Sequence, residues 1–163
     1  MAVRVYATVI GARQGTFKSE GTQAGLEKGK IPGVAFSCGV LVPHDPNSGL
    51  PTGKRQHQPV RFTKDWGASS PQFYQAAFTN EILTSVNFDF ITLTTDGKEV
   101  LDHTIKLTNA TIIEVEQSLQ NGQASGPAVD SRDRQTISFD FQKIDITSVS
   151  GGTEAIDDWQ TIA

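Results

Sequence analysis

The sequence predicts a mainly β protein with curled antiparallel sheets, one short flanking α-helix and one long projecting loop. Apolar and polar residues alternate along most of the chain, which is the period of a strand. In two long strands the alternation changes phase midway, as it does at a bulge or a sharp bend. Such bends let a sheet curl and close on itself. Periodicity alone leaves two architectures open, a β-sandwich and a closed antiparallel β-barrel of two curled sheets.

The first third of the chain contains the first predicted strands. Residues 3–10 alternate and predict a strand rather than a cleaved signal peptide. Residues 11–33 are rich in Gly and Lys, with a short strand predicted at 16–22. Residues 34–42 are apolar on both faces, so we expect them at the centre of the sheet or against a neighbouring subunit. Cys38 lies in this run and is predicted to be a small buried hydrophobe.

A long loop is predicted at about residues 43–58. Asp45-Pro46-Asn47, Gly49, Pro51 and Gly53 are turn formers, which indicates that this part of the chain projects from the body. The basic side chains Lys54, Arg55 and His57 lie near its tip, with no carboxylate close by in the sequence. Loops of this length in a compact domain usually carry a function or a contact.

One helix is predicted at about residues 70–80. Ser70 suits the N-cap, Pro71 suits the first helical position, and Asn80 ends the segment. The residues at helical spacing form one apolar stripe of Phe73, Tyr74, Ala77 and Phe78. A helix of this length covers one flank or one end of a sheet, and no more.

Two long strands and then a third follow the helix. Val86, Phe88 and Phe90 alternate before the phase shifts to Ile91 and Leu93. Asp96-Gly97 is typical of a hairpin turn. The returning strand runs from Val100 to Leu119, and its apolar face is predicted to contain Ile105, Leu107, Ile113 and Val115. A polar loop is predicted at about 120–134, followed by a strand that shifts phase between Phe141 and Ile144.

Length and composition predict a single domain over residues 1–163 with no nucleic-acid or membrane partner. The chain has a net charge of −4 and 37% apolar residues, whereas phosphate binding needs clustered Lys and Arg. No apolar run approaches the roughly 20 residues that span a bilayer. A single cysteine rules out an intrachain disulfide and fits a reducing compartment. We therefore expect synthesis in the cytoplasm without a signal peptide.

The sequence offers no pattern typical of a catalytic, cofactor or metal site. His44, His57 and His103 lack the spacing of a helical metal motif. The segment 49–55 resembles a phosphate loop superficially, but its spacing is too short and no helix pattern follows. Asp157 and Asp158 are adjacent, so on a strand their carboxylates would face opposite sides and could not act as a pair. The simpler interpretation of this segment is a solvated turn. We therefore expect a protein that is not an enzyme and needs no cofactor.

Several blocks of sequence resemble the haemolysin-coregulated protein (Hcp) family in their order and spacing. The blocks are Gly49–Arg55 with His57, Pro59 and Thr63-Lys64, then Ser70–Ala76, Glu81, Thr104–Ala110, Phe139–Ile144, Gly151-Gly152 and Asp157–Trp159. Members of this family form the inner tube of the bacterial type VI secretion machine. The resemblance implies a closed barrel, a hexameric ring with a wide pore, and rings that stack into a tube expelled by sheath contraction. The final strand departs from the family at Asp145-Ile146, where relatives commonly have Glu-Trp.

The resemblance also implies partners and an exported location. The expected partners are other copies of the chain, the contractile sheath, the spike and baseplate proteins, and small effector cargo in the pore. Because a ring that also stacks needs several patches on each subunit, we expect contacts at the projecting loop and the acidic tail. The hypothesised contact residues are Leu50, Pro51, Thr52, Lys54, Arg55, His57, Asp157, Asp158 and Trp159. Lys54 and Arg55 are expected to meet a neighbour's carboxylates, and Trp159 to anchor the tail.

Two other functions are compatible with the same residues. A tail-tube protein of a phage-like contractile particle would use the same barrel, and neighbouring capsid genes would indicate it. A monomeric module that binds an effector or a small molecule would need a pocket lined with aromatic side chains. The aromatic residues here fall mostly on predicted core faces, and a clean monomer in solution would favour that module over a tube.

Overall fold

The computed structural model describes residues 3–19, 28–119 and 133–158, and shows a mainly β protein with one short helix. Within these ranges it has twelve strands and a single helix. The strands are β1 (Val3–Gly11), β2 (Gly15–Thr16), β3 (Ile31–Pro32), β4 (Ala35–Ser37), β5 (Val40–Leu41), β6 (Gln56–His57), β7 (Val60–Asp65), β8 (Leu83–Leu93), β9 (Glu99–Leu119), β10 (Asp133–Asp140), β11 (Lys143–Ser148) and β12 (Thr153–Asp158), and the helix is α1 (Ser70–Thr79).

Ten of the described strands form one antiparallel hydrogen-bonded sheet. Its main path runs β2-β1-β8-β9-β10-β7-β4, with β3 joined to β1 and the β11–β12 pair joined to β9. The remaining two strands, β5 and β6, form a small sheet of their own. The 21-residue strand β9 is the centre of this arrangement because it pairs with β8, β10 and β11.

Strand β9 bends at Asn109 and passes from one half of the sheet to the other. Asn109 has φ 51°, a left-handed conformation that few residues other than Gly adopt inside a strand. Residues of β9 up to Ala110 pair with β8 or β11, and residues 111–119 pair with β10. A second irregularity lies opposite Ser138 and Phe139, which face Glu114 and Ile112 and leave Ile113 unpaired. The predicted apolar face is therefore wrong at Ile113, which is 55% exposed while Ile112 is buried.

The phase changes predicted in the other two long strands are confirmed. One is a shift of register within a strand, and the other is a break between two strands. The register of β8 shifts between Phe90 and Ile91, as the sequence pattern predicts. The final predicted strand is in fact two strands, β10 and β11, separated by Phe141 and Gln142. Strand β10 pairs with the second half of β9 and β11 with the first half. The chain therefore bends sharply between β10 and β11, and these two strands pair with different halves of β9.

The core lies between the two halves of the bent sheet and is rich in phenylalanine. Fully or almost fully buried aromatic residues are Phe17, Phe62, Phe73, Phe88 and Phe139. Their rings pack edge to face or tilted, for example Phe88 against Phe139 with centroids 6.1 Å apart. Helix α1 covers one end of this core through Phe73 and Ala76. Phe78 is 76% exposed, so the predicted apolar stripe is wrong at that position.

The start of α1 differs from the prediction in one residue. Ser69 is the N-cap, Pro71 lies in the first turn, and Asn80 ends the helix with φ 52°. Ser70, the predicted cap, is the first helical residue, and its hydroxyl accepts hydrogen bonds from Lys64 Nζ at 2.8 Å and from the Gly67 N–H at 3.1 Å. The Ser70 hydroxyl, which the sequence predicts as the helix cap, therefore accepts a hydrogen bond from the buried ammonium of Lys64 instead.

Closure of the sheet into a barrel is not confirmed, because no ladder joins β7 to β1 in the described part of the chain. Residues 31–37 lie between β1 and β7, and their backbone forms hydrogen bonds with both strands. The Gly33 N–H donates to the Val5 carbonyl at 2.8 Å, and the next N–H, of Val34, donates to Thr63 at 2.7 Å. A Cβ on Gly33 would lie 2.3 Å from the Phe62 ring, so this close crossing requires glycine.

Residues 34–42 do not lie at the centre of the sheet, which corrects one of the two positions predicted for them. Among the described strands, β4 pairs only with β7, and β5 pairs only with β6. Cys38 between them is exposed, contrary to the prediction, because neither strand has neighbours on both sides. The sole described helix, α1, is ten residues long, and no described helix has the length and apolarity to cross a membrane.

Candidate functional site

The projecting loop, residues 43–58, is called the arm here, and its tip is held together by its own backbone. The Asp45 N–H donates to the Leu50 carbonyl, and the Gly49 N–H donates to the Asp45 carbonyl, both at 2.8 Å. The Asp45 carboxylate accepts from the Asn47 N–H at 3.0 Å and from the Ser48 hydroxyl at 2.9 Å. These bonds lower the pKa of Asp45 below its ordinary value. The turn formers therefore shape the tip as the sequence indicates.

Most of the predicted contact residues of the arm lie on its exposed tip. Leu50 is 64% exposed, and Lys54 is exposed as well. Pro51 forms an isolated bridge with His44, and the Thr52 N–H donates to the Pro43 carbonyl at 2.9 Å. The structure does not bring these side chains together with the acidic tail. They form an apolar and basic end that is available for a contact.

The base of the arm binds the last described strand of the same chain. Arg55 Nε donates to Asp157 Oδ2 in a salt bridge, and His57 Nε2 lies 2.5 Å from the same oxygen. The second guanidinium nitrogen of Arg55 lies 3.5 Å from the Asp158 carbonyl oxygen. Four of the predicted residues therefore meet within one chain, whereas the hypothesis placed their partners on a neighbour. Trp159, the last predicted contact residue, lies outside the described residues.

The electrostatics of this cluster favour the charged forms of both partners. The hydrogen bond from Arg55 lowers the pKa of Asp157 to about 2, burial opposes the shift, and His57 adds to it. The same hydrogen bond raises the pKa of Arg55. Both groups are therefore charged throughout the physiological pH range. The arrangement therefore holds the base of the arm against β12.

Sequence reasoning missed the apolar contact beneath this cluster. The ring of Phe141 packs edge to face on His57, with ring centroids 5.1 Å apart. The two rings border a small apolar pocket of about 90 Å³, which is also lined by Val40, Val60 and Ile144. Phe141 comes from the corner between β10 and β11, far from the arm in sequence. No short-range pattern could have paired the two residues.

A second candidate surface is the face of the sheet that points away from the core. The register places Thr8, Asn87, Lys106, Asp145 and Ile156 in one row across β1, β8, β9, β11 and β12. The next row contains Tyr6, Asp89, Thr104, Thr147 and Glu154. Asp89 is buried there because Lys30 Nζ lies 2.6 Å from its carboxylate. Positive, negative and hydroxyl side chains are mixed on this face.

His103, Asp102 and Ser150 lie together but are not arranged as a catalytic triad. His103 Nδ1 lies 2.7 Å from Asp102 Oδ2, and Ser150 Oγ donates to the other carboxylate oxygen at 3.2 Å. A catalytic triad needs the serine bonded to the second histidine nitrogen instead. Asp102 therefore holds the turn before β12 and does not activate Ser150. In the described ranges no three His, Cys, Asp or Glu side chains are grouped so that they could hold a metal ion.

The chain is similar to known proteins over nearly its whole length. Residues 12–147 match the family model described as "Type VI secretion system effector, Hcp". The "Major exported protein" of Pseudomonas aeruginosa strain PAO1 is 30% identical over 169 residues, which cover 99% of this chain and 98% of the relative.

Solved structures agree with the sequence match. A structure described as "Crystal structure of Hcp protein" is 28% identical with a TM-score of 0.88, covering 98% of this chain and 99% of that one. A mutated form of the Hcp1 protein from E. coli EAEC 042 is 26% identical with a TM-score of 0.80, covering 97% and 99%. Sequence and fold therefore give the same assignment, and the chain belongs to the Hcp family of type VI secretion system proteins.

Proposed function

We propose that this protein is the structural subunit of a type VI secretion inner tube. In this proposal hexameric rings stack into a tube, contraction of the sheath expels the tube, and small effectors travel in the pore. The observation that carries the proposal is the likeness to Hcp proteins, in sequence and fold, over nearly the whole chain. The protein acts by assembly rather than by catalysis, as the structural character of the family implies.

The polar face of the sheet is the proposed lining of the pore. Its two central rows contain hydroxyl, amide and charged side chains of both signs, which suit a water-filled channel. Lys106 is exposed in the middle of this face. Helix α1 packs on the opposite, core-facing side of the molecule through Phe73 and Ala76. We also propose that segment 31–37 completes a closed barrel, since it bonds to β1 with one residue and to β7 with the next.

The tip of the arm is the proposed contact with a neighbouring subunit. Leu50, Pro51 and Thr52 offer a small apolar and hydroxyl surface, and Lys54 offers a charge. No described residue forms an ion pair with Lys54, so its ammonium is free to meet a carboxylate of another copy. Arg55, His57, Asp157 and Asp158 contribute by shaping the base of the arm. Trp159 is retained as a contact of the tail.

The proposed partners and location follow from the same assignment. The rings contact the contractile sheath on their outside and the spike and baseplate proteins at the end of the tube. In this proposal the protein is made in the cytoplasm and leaves the cell through the secretion machine. The name of the relative from Pseudomonas aeruginosa, "Major exported protein", supports export.

Solution mass and particle shape test the proposal directly. We expect light scattering to give the mass of six subunits of 17.6 kDa each, and negative-stain microscopy to show rings that stack at high protein concentration. A clean monomer at high concentration would contradict the tube. We expect Lys54→Glu to reduce stacking, whereas Lys18→Glu, an equal charge change at an exposed site outside the arm, leaves it unchanged. Equal stacking in both variants would exclude Lys54 as a contact.

A further inference from the structure

The arm is connected to the body through a small number of contacts at its base. Its supporting strands, β5 and β6, share no ladder with the ten-stranded sheet of the described chain. The bonds that shape the tip join residues of the arm to one another. An arm built in this way would swing about its base unless a side chain fixed it there, because two residue pairs make a weak sheet.

Strand β12 has a similar weakness at the other end of the chain. It pairs only with β11, so one of its edges forms no ladder with any described strand. Residues 153–156 are exposed, and only Asp157 and Asp158 are partly covered. The arm and β12 are therefore two weakly held elements, about 100 residues apart in sequence, that meet at one carboxylate.

We propose that Asp157 is a positioning residue whose carboxylate clamps Arg55 and His57 and makes the arm and β12 one rigid unit. Both donors bind the same oxygen, Asp157 Oδ2, so one carboxylate fixes two side chains of the arm. The His57 side chain is 10% exposed, and its ring packs edge to face against Phe141. The contact lies within one chain and does not depend on the proposed assembly.

The clamp needs no protonated histidine. A neutral His57 with its proton on Nε2 donates to Asp157, and the Arg55 guanidinium is positively charged at every accessible pH. Asp158 follows Asp157 in β12, and its backbone carbonyl oxygen accepts from Arg55. The cross-strand neighbour of Asp158 is Lys143 on β11. The salt bridge from Arg55 and the hydrogen bond from the Nε2–H of His57 therefore both hold the clamp closed.

The clamp also determines which part of the arm can meet a partner. Arg55 and Asp157 satisfy each other inside the subunit, so neither is free to form an ion pair with a neighbour. The tip, with Leu50 and Lys54, is left exposed and is presented at a fixed angle. A partner would meet the tip and β12 as one composite surface. Loss of the clamp would release both of its parts together.

Hydrogen exchange on the full-length protein, diluted until rings dissociate, tests the clamp. Asp157→Asn keeps the shape of the side chain and removes its charge. We expect amides of residues 43–58 and of β12 to exchange about tenfold faster, since hydrogen bonds to a charged group are lost. Trypsin cleavage after Lys54 and Arg55 should accelerate by a similar factor. Exchange in the paired strands β8 and β9 should not change.

Matched variants distinguish loss of the clamp from a general effect of removing a negative charge from β12. Glu154→Gln removes one exposed carboxylate from the same strand and should leave the arm protected, whereas Asp157→Glu should restore part of the protection. If Asp157→Asn disturbs folding, Arg55→Gln opens the clamp from the arm side and should give the same local release. Unchanged exchange in the arm, or equal acceleration in Glu154→Gln, would overturn the proposal. Ring formation is scored separately by microscopy, so failure of the tube and failure of the clamp are distinguishable.

Discussion

At the scale of single residues, Glu81 shows how one buried carboxylate organises a distant turn. Its Oε2 accepts hydrogen bonds from the N–H groups of Arg13 at 3.0 Å and Gln14 at 2.9 Å, and its Oε1 from the Gln14 side chain at 3.2 Å. A Cβ on Gly11 would overlap Oε2, which explains the glycine there. Burial alone would raise the pKa of Glu81, but these hydrogen bonds outweigh it and lower the pKa.

Replacement of Glu81 by Gln should therefore lower stability in a pH-dependent way. We expect a loss of about 1–2 kcal/mol in the free energy of unfolding at pH 7, because charge-assisted hydrogen bonds become neutral ones. The folded pKa lies below the unfolded value of about 4.3, so the stabilisation is full above that pH and is lost as the pH falls below it.

Urea unfolding of both proteins between pH 7 and pH 3 measures this difference. The gap between the wild-type protein and Glu81→Gln should narrow as the solution becomes acidic. The control is Glu116→Gln, which changes an exposed carboxylate on β9 and should alter stability little at any pH. A gap that stays constant across this range would show that the hydrogen bonds to Glu81 do not depend on its charge.

At the scale of secondary-structure elements, β9 determines how the sheet bends. Its residue Asn109 adopts a left-handed conformation and donates through its side-chain amide to Gln142 Oε1 at 2.9 Å. Gln142 lies at the corner between β10 and β11, so the two bends face each other. The sequence reveals a phase change in the final strand, but it does not show that the chain changes partners along β9.

Substitutions at Asn109 should rank in an order unusual for a strand. Asn109→Gly and Asn109→Ala both lose the bond to Gln142, but only Gly adopts a positive φ without steric cost. We expect the Gly variant to be more stable than the Ala variant by about 1 kcal/mol in thermal unfolding. At the neighbouring Thr108 the order should be reversed. A more stable Ala variant at position 109 would mean that the bend relaxes.

The helix illustrates which parts of an element a local pattern can predict. Its position, Pro71 and the stop at Asn80 follow from residue preferences and agree with the structure. Which aromatic residues pack depends on where the sheet lies, and the pattern contains no such information. Phe73 is buried and Phe78 is exposed, although both fit the predicted stripe. The same reason explains Ile112 and Ile113, whose burial is decided by an irregularity in the neighbouring strand.

At the scale of the whole molecule, the sequence predicts the class of fold and the family, but not the long-range pairings. The ordered blocks that resemble Hcp proteins are confirmed by the family match, which spans residues 12–147. The contact between Arg55 and Asp157 is absent from any local pattern, because the two residues are 102 positions apart. Charge alone indicates that they are complementary, and the fold decides that they meet within one chain.

The proposed pore lining can be tested by chemical labelling of the assembled protein. In a Cys38→Ser background, Lys106→Cys places a thiol on the polar face, and Gln75→Cys places one on the exposed side of α1. We expect both thiols to react with a bulky maleimide in the dispersed protein. In stacked rings only the thiol at position 75 should react if the maleimide carries a polymer wider than the pore, because such a reagent cannot enter the tube. Equal reactivity in stacked rings would place the polar face outside.

The central position of β9 also has a mechanical consequence. Hydrogen bonds between antiparallel strands lie perpendicular to the strands, and the ladder between β8 and β9 extends from Leu83 to Leu93. A force directed along β9 therefore loads these bonds together in shear, whereas a force across the strands would break them one after another. Since β9 continues past its bend into the ladder with β10, such a load is shared by both halves of the sheet. We therefore expect the subunit to resist a load along β9 better than a load across its strands.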